Sequence, residues 1–299
     1  MKPSTVKHLL DYRYEDAWSD WRWQMRSRIE TATELLESSP SLRDRIPSER
    51  ISEWIEREFR FGVTPYYLSL ADFQDPLCPI LRQILPDEAE ISDSLFENPD
   101  PLAEESHMPL PGMTHRYPDR VLWYLTHNCA VYCRFCLRKR KVGRAESAAA
   151  STSWEDGFRY IESNRSIKEV ILSGGDPLSL SDDKIELLLS RLRTIKHLYS
   201  IRIHTRMPVT LPMRFTDELC AILKDNYPIT LVAHFNHAKE ITPEAAAAVR
   251  NLRMNGVLVL NQSVLLSGVN DSEDAMEELL LSLLQAGIKP YYLDRKSVV

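Results

Sequence analysis

From residue 121 onward the chain alternates short, mainly apolar runs with longer stretches in which apolar residues recur three and four apart. The runs fall at 121–126, 169–173, 200–204, 229–234, 257–261 and 289–293, and their length and Val, Ile and Leu content predict buried strands. Between them, 184–193, 216–225, 243–255 and 273–286 read as amphipathic helices. Thr216 and Thr242 stand where a helix N-cap is wanted, and Gly256 and Gly287 where a chain leaves a helix through the left-handed region. Strand and helix in strict alternation predict a parallel sheet. Six such units are too few to close an eight-stranded barrel, which leaves an open doubly wound sheet or an incomplete barrel.

Ahead of this region the pattern is different. Trp18, Trp21 and Met25 recur at helical spacing with Trp23 beside them, and helical character continues through 28–36. Residues 75–118 are rich in Pro, Asp and Glu and predict an irregular wrapping segment with one short helix. The expected organisation is therefore a mainly helical N-terminal and wrapping region at 1–118, an α/β core at 119–293, and a short tail at 294–299.

Polar residues stand just past nearly every predicted strand: His127 and Asn128, Gly174 to Asp176, Thr205 and Arg206, His234 to His237, and Gln262. In parallel α/β folds ligands bind at the carboxyl ends of the strands, so these groups are expected to face one mouth. The 37 basic and 43 acidic residues give a net charge of −6, which excludes a protein whose main task is to neutralise nucleic-acid phosphates. One basic run, Arg138-Lys139-Arg140-Lys141, opposes the trend, and taken alone reads as a solvated turn. The first residues lack the apolar core of a leader, and no stretch approaches the ~20 apolar residues that span a bilayer, so a cytoplasmic protein is expected.

Three of the five cysteines crowd into Cys129-Ala-Val-Tyr-Cys133-Arg-Phe-Cys136. Clustered thiols outside a disulfide framework point to metal. An iron-sulfur cluster held by three thiolates would leave one iron open for another ligand. A zinc site with His127 as fourth ligand uses the same residue types and stays open at this point. Of the other two cysteines, Cys220 fits a small buried hydrophobe on a helix, and Cys78 has no role in this reading. Ser173-Gly174-Gly175-Asp176-Pro177 ends the second predicted strand, where paired glycines let backbone approach a ligand closely.

The cysteine loop followed by this Gly-Gly segment resembles the radical S-adenosylmethionine (SAM) superfamily. The resemblance sharpens to the lysine 2,3-aminomutase family on Trp18-Ser-Asp-Trp21-Arg-Trp23-Gln, Thr64-Pro-Tyr-Tyr-Leu-Ser-Leu, Thr114-His-Arg-Tyr-Pro-Asp-Arg120, Ile171-Leu-Ser-Gly-Gly-Asp-Pro177, His234-Phe-Asn-His237 and Asn261-Gln-Ser-Val-Leu-Leu-Ser-Gly-Val-Asn-Asp271. It implies an α/β fold, an incomplete six-stranded (βα)6 parallel barrel with a helical N-terminal extension. It also implies a 4Fe-4S cluster on Cys129, Cys133 and Cys136, with SAM held by Phe135, Ser173, Gly174, Gly175, Asp176, His234 and Gln262. Arg116, Tyr117 and Arg120 would bind the phosphate end of pyridoxal 5′-phosphate (PLP), and Arg138 the substrate carboxylate.

The implied reaction moves the α-amino group of an amino acid, L-lysine foremost, to the β-carbon through a PLP aldimine radical. It would take its electron from a reductant such as flavodoxin or ferredoxin. A glutamate 2,3-aminomutase, an isomerase acting on a lysine of translation elongation factor P, and, outside the enzymes, a zinc-binding module share parts of the pattern. Association into a homo-oligomer is a further expectation from the family. The Gly-rich segment carrying the family's PLP lysine has no counterpart here, and Lys296 does not replace it. The last six residues, Asp294-Arg-Lys-Ser-Val-Val299, read as an assembly artefact, so the chain is expected to be a fragment that cleaves SAM without completing the amino shift.

Overall fold

All six apolar runs are strands in a computed structural model of the chain, which describes residues 16–31, 34–36, 60–87, 100–139, 141–143 and 154–295. They are β2 (Arg120–Thr126), β3 (Glu169–Gly174), β4 (Ser200–Thr205), β5 (Ile229–Ala233), β6 (Leu258–Leu265) and β7 (Lys289–Arg295), hydrogen-bonded in sequence order and parallel throughout. A further strand, β1 (Met113–Tyr117), pairs antiparallel with β2 at the sheet's edge. The sheet thus takes in residues ahead of 119. Sequence patterning missed β1 because only Met113 and Thr114 of its five residues are buried.

The parallel strands curve. Arg202 on β4 has its guanidinium 5.9 Å from the Tyr291 ring on β7, although three strand steps would separate them by ~14 Å across a flat sheet. One face of the sheet packs under helices through Val121, Trp123, Val170, Leu172, Ile201, Ile203 and Leu231. The alternate residues, among them Arg120, Tyr124, Glu169, Arg202 and His204, line the concave face. β4 shows the alternation plainly: Ile201, Ile203 and Thr205 are buried while Ser200, Arg202 and His204 are half-buried.

Helices α4 (Trp154–Ser163), α5 (Asp182–Thr194), α7 (Asp217–Asp225), α8 (Pro243–Met254) and α9 (Glu273–Gln285) connect the strands, α6 (Met207–Thr210) being a single turn after β4. Thr216 and Thr242 cap as predicted, accepting from Leu219 N and Ala245 N, and Gly256 and Gly287 have φ of 81° and 76°. Gly157 lets α4 lie against Trp123, whose ring a Cβ would strike; Phe158 meets the same ring edge-on at 5.2 Å.

The N-terminal segments dock on this core through short helices: α1 (Trp21–Arg26) and α2 (Pro65–Leu68), capped by Asp20 and Thr64, and α3 (Pro79–Arg82). The helix expected over 28–36 does not begin there, because Ile29 is extended and pairs with Val63 in an isolated bridge. Residues 32 and 33 of that span lie outside the described ones. Thr64 and Tyr66 tie α2 to the barrel by bonds to the Thr210 carbonyl (2.8 Å) and the Thr242 hydroxyl (2.6 Å). The tryptophan stripe is core: Trp21 stacks on the buried Arg214 guanidinium at 4.3 Å. Cys78 is also buried, and its sulfur accepts from Asp72 N. Burial pushes the Cys220 thiol up to about 11, as suits a hydrophobe. Among the described residues no helix is long and apolar enough to cross a membrane. β7 runs on to Arg295, past the expected end of the core at 293, and 296–299, with Lys296, lie outside the described residues.

Candidate active site

Where β2, β3, β4 and β5 end, their following residues close on one another. Gly175 N donates to the Thr126 carbonyl (2.6 Å) and Asp176 N to that of Asn128 (2.8 Å). The Asp176 carboxylate accepts from Thr205 Oγ1 (2.7 and 2.9 Å), Arg206 N (2.7 Å) and Leu178 N (3.0 Å). Even so, burial outweighs these donors and pushes its pKa up to about 6. The paired glycines also meet a requirement of packing. A Cβ on Gly174 would lie 2.7 Å from the Thr126 carbonyl oxygen, and one on Gly175 2.6 Å from that of Asn128. The glycines therefore let the Gly-Gly-Asp segment pack directly on the backbone that leads into the cysteines.

The cysteine loop is held from outside as well. Tyr132 N donates to the Gly62 carbonyl (2.9 Å), Arg134 N to that of Gln83 (3.0 Å), and Gly143 N to that of His127 (2.7 Å). Arg28 reaches in to donate to Asn128 Oδ1 (2.8 Å) and to the Cys129 carbonyl. None of the three thiols is in a disulfide. Burial raises the Cys129 thiol well above its usual range, with Asp176, Cys136 and Cys133 adding to the effect and Arg28 opposing it. A bound metal cation would oppose that shift and favour the thiolate. Opposite it, Arg206 Nη1 donates to Cys133 Sγ at 2.8 Å.

This donor set fits a cluster: three thiols within one short loop, close enough for Cys133 and Cys136 to act on Cys129, with the Arg28 and Arg206 guanidinium groups beside them to balance thiolate charge. Among the described residues no three His, Cys, Asp or Glu groups converge to hold one metal ion. Phe135, from the same loop, is buried against Val264, Leu266 and Val269.

Down the concave face, Arg138 is not in a solvated turn. It is paired with the buried Glu104 (Nη2 2.8 Å, Nε 3.1 Å), donates to Tyr124 Oη (3.0 Å) and lies over the Tyr124 ring. His204 and His234 meet edge-on at 5.9 Å. Gln262 lies within β6 and not past its end, because the strand continues to Leu265. It is nevertheless level with His234, since Ala233 pairs with Asn261. Its amide donates to Asp294, and its Oε1 is buried without a partner. Ser173 is buried opposite Tyr124.

His204 Nε2 is buried without a partner, and burial, helped by Arg202 and Arg138, depresses its pKa to about 3. Such a histidine stabilises the fold in full above the unfolded pKa of 6.5, and that contribution is lost as pH falls from 6.5 toward 3. The slope is about 1.4 kcal/mol per pH unit. His204→Gln is expected to flatten the drop in melting temperature between pH 7 and pH 5, measured by circular dichroism. An unchanged drop would show that this ring does not titrate against folding.

Arg116, Tyr117 and Arg120 are not at the cysteine mouth. They flank the β1–β2 turn at the amino edge of the parallel sheet, six residues down β2 from Thr126, a span of ~20 Å. Arg116 donates to the Leu102 carbonyl, Arg120 pairs with Asp119, and Tyr117 is 57% exposed. Arg202 is beside them on the concave face, bound through both Glu169 oxygens at 2.8 Å. Sequence reasoning gave no role to Arg28, Tyr67, Gln83, Glu104, Glu240 or Asp294. Their partners lie far away along the chain, and only Tyr67 falls in a quoted motif, which by itself gives it no role.

A model described as the radical SAM superfamily matches residues 123–280. The chain is 42% identical over 282 residues to the L-lysine 2,3-aminomutase of Acetoanaerobium sticklandii, covering 93% of this chain and 67% of that protein. It is 41% identical over 292 residues to that of Clostridium subterminale (95% and 70%) and 39% identical over 279 residues to the glutamate 2,3-aminomutase of Clostridioides difficile (93% and 65%). The chain thus spans about two thirds of the length of these relatives.

Proposed function

We infer the reaction from the family: the chain belongs to the lysine 2,3-aminomutase family of radical SAM enzymes, which are isomerases working with a 4Fe-4S cluster, SAM and PLP. The proposed reaction shifts an amino group from the α- to the β-carbon of a free amino acid, with L-lysine as substrate and a flavodoxin- or ferredoxin-like protein as electron donor. One observation carries this reading. In a chain so similar to named aminomutases, the thiol loop, the Gly174–Asp176 segment and His234 are gathered at the carboxyl ends of adjacent strands.

When bound, these groups supply one-electron cleavage of SAM, hydrogen abstraction and a carrier for the migrating nitrogen. Cys129, Cys133 and Cys136 would hold the cluster; Phe135, Ser173, Gly174, Gly175, Asp176, His234 and the orphaned Gln262 Oε1 would hold SAM. The Arg138 fork keeps Nη1 available beyond its bonds to Glu104 and Tyr124, enough to take a substrate carboxylate. Neutral His204 can offer a hydrogen bond on the concave face without adding charge. Arg116, Tyr117 and Arg120, at the far edge, would take the phosphate, so cluster and phosphate would lie toward opposite ends of the face.

The test is anaerobic reconstitution with iron and sulfide, then electron paramagnetic resonance of the reduced chain with and without SAM. A 4Fe-4S signal that changes on adding SAM is expected. Bound zinc without a cluster would end this reading. Turnover assays with L-lysine and L-glutamate then decide the substrate, and faster turnover of glutamate would overturn the choice of lysine.

A further inference from the structure

We propose that Arg206 sets the electron affinity of the cluster through Cys133, and that Glu240 sets how much of the Arg206 charge the cluster feels. The inference rests on the family reading above and deepens it, giving a role to a residue that touches neither substrate nor reacting atoms.

Arg206 follows β4 directly, and its side chain is fixed on every edge. Its plane has the Tyr67 and Phe135 rings as neighbours, each with its centroid 5.1 Å from the guanidinium carbon. Nε donates to the His234 carbonyl at 3.3 Å. Nη2 donates to Glu240 Oε1 (2.6 Å), Tyr67 Oη (3.0 Å) and Gln83 Oε1. Nη1 points the other way, to Cys133 Sγ at 2.8 Å.

Glu240 is equally fixed. Fully buried, it accepts from Tyr67 Oη (2.7 Å) and Gln83 Nε2 (3.0 Å) on Oε1, and from the backbone of Asn236 (2.6 Å) and His237 (3.1 Å) on Oε2. The pair is therefore a buried dipole with its positive end on a cysteine sulfur. Three segments distant in sequence hold it in place. A structural ion pair needs none of this polarity: Arg202 and Glu169 already pair on the same sheet through both oxygens, with no sulfur involved.

The step affected is the gain of one electron by the oxidised cluster, supplied in the test by dithionite through redox mediators; no bond forms or breaks and no proton moves. The added charge is stabilised by a nearby cation and by hydrogen bonds to the ligating sulfurs, most strongly where water is excluded. Loss of the cation should make the cluster harder to reduce. Loss of the opposing carboxylate should make it easier.

The experiment is a redox titration of the reconstituted full chain, followed by electron paramagnetic resonance, for the parent, Arg206→Gln, Arg206→Lys and Glu240→Gln. Iron and sulfide content and melting temperature are recorded for each. At fixed potential the ratio of reduced to oxidised cluster should fall about tenfold in Arg206→Gln, a midpoint shift of about −59 mV for one electron. Arg206→Lys should recover part of that shift, and Glu240→Gln should move the midpoint upward. If Arg206→Gln takes up no iron, Glu240→Gln carries the test alone, since it leaves the donor to Cys133 in place.

Midpoints that do not move, or that move in the same direction for Arg206→Gln and Glu240→Gln, overturn the proposal, because a merely structural pair gives no opposed shifts. An unmoved midpoint with weakened SAM binding also overturns it and assigns Arg206 to the carboxylate of SAM. A parent chain that forms no cluster overturns the family reading, and this inference with it; a normal parent cluster with unmoved variants overturns this inference alone.

Discussion

Cys133→Ala is expected to abolish the cluster: after reconstitution the chain gives no SAM-responsive paramagnetic signal, and SAM cleavage falls to the level of a protein-free control. Two thiolates remain, and neither occupies the position that Cys133 fills between Val131, whose carbonyl its thiol faces, and Arg206. Ala is chosen over Ser because a serine oxygen can still ligate iron. The substitution also leaves Arg206 Nη1 buried without its acceptor, which should cost about 1–3 kcal/mol. A modest fall in melting temperature is therefore expected alongside complete loss of the signal. Full iron content with an unchanged spectrum would show that Cys133 is not a ligand. Loss of stability without loss of the cluster would make the residue structural.

What could be read from the sequence was what is encoded locally. The six parallel strands followed from their apolar runs, and Thr216, Thr242, Gly256 and Gly287 marked helix ends because capping depends on neighbouring residues. The cysteine loop was visible because its three thiols lie within eight residues. Two elements were misread for a single reason. β1 is fixed by its partner strand β2 and the extended Ile29 by a single bridge to Val63, and neither carries an apolar pattern of its own.

The same limit hid most of the supporting site. Arg206 was visible as a polar residue past a strand, yet its meaning comes from residues 67, 83, 133 and 240, which no spacing rule connects. Arg138 shows the limit from the other side. Its basic neighbours suggest solvent, whereas Glu104, thirty-four positions away, draws it into the fold. The Asn-rich motif segments also turn out to be largely scaffolding: Asn261 and Asn270 tie the Phe235–Asn236 backbone to β6. A motif can mark the neighbourhood of a site while its residues hold backbone.

Gly175→Ala gives the sharpest test of that distinction, because it adds one methyl group to a residue that offers no side chain to any ligand. The new Cβ would lie 2.6 Å from Asn128 O, 2.8 Å from His127 C and 2.9 Å from Asn128 N. All three are backbone atoms that cannot swing aside as the end of a flexible side chain would. Relief requires the two segments to part. Parting them breaks the bonds from Gly175 N to Thr126 and from Asp176 N to Asn128, and displaces the chain entering Cys129. A cost of more than about 3 kcal/mol is expected, together with a large loss of reconstituted iron.

Gly256→Ala is the control. There φ is +81°, but the nearest atom to a Cβ is 3.7 Å away on the exposed Tyr227, so only backbone strain of about 1 kcal/mol applies and the cluster should form normally. Chemical denaturation of both variants, with iron content measured beside it, separates the two effects. If Gly175→Ala is no less stable than Gly256→Ala and retains its iron, the close packing of the Gly-Gly-Asp segment on the cysteine loop does not position the site.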